Sequence, residues 1–145
     1  MACFKAVTDE DYQSLAEFRY QIRRFLHFSE QAARAAGMEP HQHQLLLALR
    51  GMPGAQADIG TLAERLQIQH HSTVELVDRL AARGLVTRSR AVADRRHVVI
   101  ELTERGAAEL EKLAQSHLEE LRRNGPMLVE ALETLLRRSR CQLTN

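Results

Sequence analysis

Between positions 70 and 98 the chain gathers the side chains best suited to binding a polyanion: Arg79, Arg83, Arg88, Arg90, Arg95 and Arg96, against only Glu75, Asp78 and Asp94. A guanidinium is always charged and its fork of donors matches a phosphate, while a cation entering a narrow minor groove meets concentrated negative potential. Just ahead stand His70, His71, Ser72 and Thr73, followed by Glu75, as exposed candidates at the start of a helix. Imidazole and hydroxyl groups bond phosphates or base edges, whereas a carboxylate accepts only from donors such as the cytosine N4 amino group. Each has a plainer reading beside the chemical one. Glu75 lies four residues before Arg79, the spacing of an intrahelical ion pair. Arg65, Arg79, Arg83, Arg88 and Arg90 suit a solvated surface as well as phosphates, with Arg88 and Arg90 the stronger candidates because they lead into the turn holding Asp94, Arg95 and Arg96.

Other chemistries find less support. The seven histidines raise the question of a metal, yet His41 and His43 are two apart, whereas ligands on one helix face sit three or four apart. His70 and His71 are adjacent and diverge, and His117 falls on an apolar stripe where a buried, hydrogen-bonded imidazole is expected. No HExxH, GxSxG or phosphate-binding glycine loop occurs, so neither an enzyme nor a cofactor is expected. Cys3 and Cys141 sit near opposite ends, too few and too far apart for a disulfide framework or a zinc site of the CxxC type.

The elements that must position these groups follow from periodicity. The 145 residues, 44% hydrophobic and only 4% aromatic, imply one aliphatic core and a mainly helical chain. Apolar residues at three- and four-residue steps from Tyr12 through Phe18, Ile22, Phe25 and Ala33 predict a long amphipathic helix, capped by Thr8 or Asp9 and stopped at Gly37. Pro40 opens a second helix that ends before Gly51-Met52-Pro53-Gly54. After a polar loop come two short helices, one capped by Thr61 and one carrying Val74, Val77, Leu80 and Ala81 on a stripe. Their three- or four-residue connection is the outline of a helix-turn-helix. Gly84 closes the second, and Leu85 to Arg88 and His97 to Leu102 read as strands. Thr103 caps a further helix, Asn124-Gly125-Pro126 breaks it, and a last helix follows. The terminal helices carry more apolar face than a small lobe can cover, so a helical dimer interface built from both chain ends is the economical solution. The fold class is mainly α with a small β-hairpin wing, a winged helix-turn-helix with N- and C-terminal dimerisation helices.

In this order, Ile59 to Leu66, Ser72 to Leu80, Arg83 to Arg88, Asp94-Arg95-Arg96 and Leu102-Thr103-Glu104-Arg105-Gly106 resemble the MarR family of transcriptional regulators, and the flanking helices match it in number and order. The resemblance implies a single MarR-like domain over the whole chain, with a DNA-binding lobe at about 38–102 and a helical dimerisation region at about 8–37 and 103–141. It implies a homodimer on a pseudo-palindromic double-stranded DNA operator. The helix from about His71 to Ala82 would enter the major groove and the wing the minor groove, with Arg96 as the wing-tip arginine, Asp94 orienting it and Arg95 between them. Many relatives place a basic or amide residue near Glu75, a departure that bears on base preference and not on docking.

The family also binds small aromatic or anionic effectors in a crevice, for which Tyr20, Arg23, His27, His41 and His43 are candidates by location. Three alternatives stay open: zinc sensing through Glu39, His41 and His117, redox sensing through Cys3 and Cys141, and a protein–protein adapter that has lost DNA binding. No secretory leader and no apolar run of about 18 residues is present, so a cytoplasmic protein with no membrane partner is expected. The formal charge of +1, from 20 Lys and Arg against 19 Asp and Glu, excludes only indiscriminate polycationic coating of DNA.

Overall fold

The computed structural model describes residues 6–90 and 97–141. Asp94, Arg95, Arg96 and Cys3, and the Cys141 side chain, lie outside what is described. The element order is α1 (Asp9–Ala35), α2 (Pro40–Arg50), a short 3-10 turn, β1 (Gln56–Ala57), α3 (Ile59–Leu66), α4 (His70–Ala82), β2 (Val86–Arg90), β3 (Val98–Leu102) and α5 (Glu104–Cys141). The chain forms two compact units, one of residues 30–115 and one of residues 1–29 with 116–145.

In the first unit, Leu45, Leu46 and Leu49 of α2, Leu62 of α3, Val77 and Leu80 of α4, Leu85, Val86, Ile100 and Leu110 form one aliphatic core. Burying each such side chain contributes about 1.5–3 kcal/mol. Local chemistry sets the helix ends. Gly37, at φ +79, lets the chain turn out of α1 so that the Met38 N–H donates back to the Ala33 carbonyl at 2.9 Å. Glu39 and Gln42 then form a reciprocal capping box around Pro40. The first helix of the helix-turn-helix is capped by Asp58, whose Oδ1 accepts from the Thr61 N–H at 2.7 Å, so Thr61 occupies the third helical position and is not the cap.

The sheet is antiparallel in the order β1-β3-β2, with Ala57 opposite Ile100 and Arg90 opposite Val98. The segment read as a polar loop therefore contributes β1; two residues are too short to show alternation, and only pairing with β3 reveals them. The first strand of the hairpin starts one residue later than the sequence suggests, because the Leu85 N–H still closes the C-terminal turn of α4 by donating to the Leu80 carbonyl at 3.0 Å, and the strand runs to Arg90.

The second unit is built from the first turns of α1 and the later turns of α5. The expected break at Asn124-Gly125-Pro126 does not occur: α5 runs from Glu104 to Cys141 with Pro126 inside it. Proline removes one N–H from the ladder. Leu121 and Leu128, on either side of it, line a small cavity with Phe25 of α1, and this anchoring keeps both halves of α5 in one helix. His117 bonds Ser29 Oγ at 2.8 Å through Nε2 and meets the rings of Phe25 and Phe28 edge-on.

Thr8 and Asp11 cap α1 reciprocally, and Arg138 joins them, Nε donating to Asp11 Oδ1 at 2.8 Å and Nη2 to Thr8 Oγ1 at 3.1 Å. The Thr8 N–H and the Arg138 guanidinium hold the Asp11 carboxyl down at about 2, from 3.8. A depressed carboxylate contributes stability above its unfolded pKa and loses it as pH falls through the folded value. Wild type should therefore lose more thermal stability than Asp11→Asn between about pH 5 and about pH 2. Parallel melting-temperature curves for the two proteins would contradict this.

Candidate nucleic-acid interface

Helix α4 is locked into the core by Thr73, Leu76, Val77 and Leu80, a stripe turned by one residue from the one the sequence suggests. Thr73 is the correction among the recognition candidates. It is fully buried and its Oγ1 donates to the Gln69 carbonyl at 3.0 Å, so it anchors the first turn of α4 and offers nothing to a ligand. The spacing 73, 76, 77, 80 is itself the inward helical period, and position in that period outweighs the polar residue type. His70, His71, Glu75, Asp78 and Arg79 are exposed on the outer side, and Ser72 is half-buried.

Glu75 and Arg79 form no ion pair, despite their four-residue spacing. Both instead line a polar cleft of about 730 Å³ together with Ser72, His41, Arg34 and Glu39. Asp78 pairs with Arg88 of β2, which ties the outer face of α4 to the hairpin. Arg90, exposed at the end of β2, precedes the segment with Asp94, Arg95 and Arg96. Arg83 is half-buried, donating to Gln42 Oε1 at 3.1 Å and lying 3.9 Å from Glu109, so its role is to hold the C-terminal end of α4.

Of the effector candidates, His41 lines the cleft. His43 is only 2% exposed within the core of residues 30–115, so it cannot wall an open crevice; its place on α2 beside Leu45 and Leu46 turns it inward. Tyr20, Arg23 and His27 are exposed on α1 in the other unit, with the Arg24 guanidinium 5.9 Å from the Tyr20 ring centroid. Among the described residues no group of three His, Cys, Asp or Glu side chains is arranged to hold a metal ion, and no helix is long and apolar enough to cross a membrane.

Two long-range contacts escape sequence reasoning, the Asp58–His97 bond and the reach of the Thr103 cap back to Gly84. His97, immediately before β3, bonds Asp58 Oδ2 at 3.0 Å through Nε2. Thr103 joins the sheet to α5, its Oγ1 donating to the Gly84 carbonyl at 2.7 Å and accepting from the Gly106 N–H at 3.0 Å. Asp58 carries a cap signature in the sequence, an Asp just before a helical period. His97 carries none, because its partner lies 39 residues away.

A family model described as MarR family matches residues 36–97. No curated protein matches the sequence. AbsC, a MarR family transcriptional regulator from Streptomyces coelicolor, superposes with a TM-score of 0.73 at 21% identity, covering 94% of this chain and 98% of its own. Sco3205, a MarR family transcriptional regulator from the same organism solved in complex with DNA, gives 0.73 at 21% identity, covering 100% of this chain and 94% of that one. BpsR from Bordetella bronchiseptica, whose DNA binding is described as regulated by 6-hydroxynicotinic acid, gives 0.63 at 25% identity, covering 83% and 88%. Residues 36–97, which hold the helix-turn-helix and two of the three strands, thus resemble the MarR family, and the chain shares the winged-helix fold of solved MarR family regulators along nearly its full length.

Proposed function

We propose that this protein is a sequence-specific DNA-binding transcriptional regulator that acts as a homodimer on a pseudo-palindromic operator. Helix α4 lies in the major groove, and the segment between β2 and β3, with Arg90, Asp94, Arg95 and Arg96, reaches the minor groove. The observation that carries this reading is the division of α4 into a core-locked face and an outer face of His70, His71, Glu75 and Arg79 beside a basic hairpin. Glu75, in no ion pair among the described residues, is suited to accept from cytosine N4. The complex of Sco3205 with DNA supports the polyanion as partner.

Two-fold assembly is supported by an exposed apolar stripe on α5: Leu118, Val129, Leu132 and Leu136 are all at least 41% exposed and recur at helical spacing. The polar cleft beside α4 suits a small anionic or aromatic effector, with Arg34, His41 and Arg79 as its cationic or hydrogen-bonding side. BpsR, responding to 6-hydroxynicotinic acid, is a precedent for that class. Selection from a random duplex pool tests the proposal. It should return an inverted repeat with half-sites about one helical turn, roughly 34–36 Å, apart. A pool that stays random after repeated rounds would favour an adapter over a DNA reader.

A further inference from the structure

The two oxygens of Asp58 do different work. Oδ1 accepts from the Thr61 N–H at 2.7 Å and caps α3, while Oδ2 is bonded to His97 Nε2 at 3.0 Å. Asp58 directly follows β1, which is itself paired to β3 through Gln56 with Glu101 and Ala57 with Ile100. Ser89 of β2 donates to Glu101 of β3 at 3.2 Å, so the two strands of the hairpin are also joined through their side chains. At the open end of the hairpin, where Arg90 faces Val98, the ladder stops, and the described bond that ties this end to the helix-turn-helix from the β3 side is the one between His97 and Asp58. From the β2 side the Arg88–Asp78 pair ties it to α4.

We infer that Asp58 and His97 are positioning residues for DNA recognition, a carboxylate–imidazole latch that fixes the direction in which the hairpin presents its arginines relative to the helix-turn-helix. The inference rests on the proposed DNA-binding function. The core contacts of Val86 and Ile100 hold the base of the hairpin, and two further ties on opposite sides, one to the cap of α3 and one to α4, constrain its direction towards the open end. A cation aimed at a narrow groove gains from fixed direction, because its contact is lost with a small rotation of the strand that carries it. The backbone N–H of Thr61 and the imidazole both hold the Asp58 carboxyl below the usual carboxylate range, so the latch keeps its acceptor ionised. His97 is 57% exposed at its side chain and belongs to no core cluster, so packing does not account for its place.

The test separates the latch from the cap and from the DNA-binding reading itself. Asp58→Ser keeps an oxygen that caps α3 but cannot reach His97, and His97→Ala removes the imidazole without touching the cap. Each should leave the melting temperature within a few degrees and weaken binding to the selected operator about tenfold, and the double variant should be no worse than either single one. Arg96→Ala, in sequence next to His97, then supplies the decisive readout. Its cost should be large in the wild-type background and should shrink in both the Asp58→Ser and His97→Ala backgrounds. An unchanged cost of Arg96→Ala in those backgrounds, or additive losses from the two latch variants, overturns the inference while leaving DNA binding intact. A wild-type protein indifferent to Arg96→Ala overturns the wing reading and the latch with it.

Discussion

Gly106→Ala should lower the unfolding midpoint by about 10 °C, the largest stability effect expected of any single methyl group in this protein. A Cβ built on Gly106 would stand 2.2 Å from the Leu85 carbonyl oxygen, 2.8 Å from Leu102 Cδ1 and 3.1 Å from the Leu85 carbonyl carbon. Backbone atoms cannot step aside by changing rotamer, so the first turn of α5 has to move off the start of the hairpin. That shift breaks the arrangement in which Thr103 accepts from Gly106, donates to Gly84 and sends its own N–H to Leu85. It also opens the core around Leu85 and Leu110, which are 0% and 3% exposed. Overpacking of this kind costs about 1–3 kcal/mol, and a backbone obstacle puts it at the upper end. Gly125→Ala is the internal control. Its Cβ would meet nothing closer than Leu121 Cβ at 3.8 Å, so the gain in helix propensity should leave the protein unchanged or slightly more stable. Equal melting curves for Gly106→Ala and wild type would contradict the close approach of α5 to Leu85.

Leu132→Glu combined with Leu136→Glu should convert the proposed dimer to a monomer and weaken operator binding by about a hundredfold or more. The two leucines are 41% and 49% exposed, so glutamate at either is solvated in the isolated chain and folding should be retained. In a two-fold interface the same carboxylates would be desolvated and placed near their symmetry copies, a cost that helical packing cannot offset. The loss of affinity follows from effective concentration. A dimer places its second recognition helix over the second half-site at no further cost in translational freedom, whereas a monomer must capture each half-site independently. Sedimentation velocity and operator titration on the same preparation check both halves. A double variant that remains dimeric would move the assembly surface elsewhere, and a monomer that still binds the full operator with wild-type affinity would contradict the two-half-site account.

Much of this molecule could be read from short-range signals. Gly37, Pro40, Gly84 and Thr103 end or begin elements in the structure as their chemistry dictates, since each acts on backbone groups within four residues of itself. The helix-turn-helix was legible for the same reason, and its ordered succession into the hairpin and α5 carried the family resemblance. What stayed hidden depends on partners distant in sequence. Two-residue β1 exists because β3 accepts it, and the Asp58–His97 bond spans 39 positions. Pro126 reads locally as a stop, yet α5 continues past it because apolar residues on both sides share the α1-facing side. Thr73 shows a third kind of loss. Its chemistry suggested a contact residue, and the helical period, counted from Leu76, Val77 and Leu80, places it in the core. Within the proposed interface, the position of the outer α4 residues was legible, whereas the engagement of Arg88 by Asp78 and the inward turn of His43 required the fold.

The most direct test of the central claim is the affinity of the purified full chain for the selected inverted repeat against a scrambled duplex of equal length and composition, titrated across salt. The account predicts a preference of at least about a thousandfold near 0.15 M salt, with log affinity falling linearly as log salt rises by a slope set by the phosphates contacted. Equal affinity for the two duplexes, or binding that does not respond to salt, would contradict it.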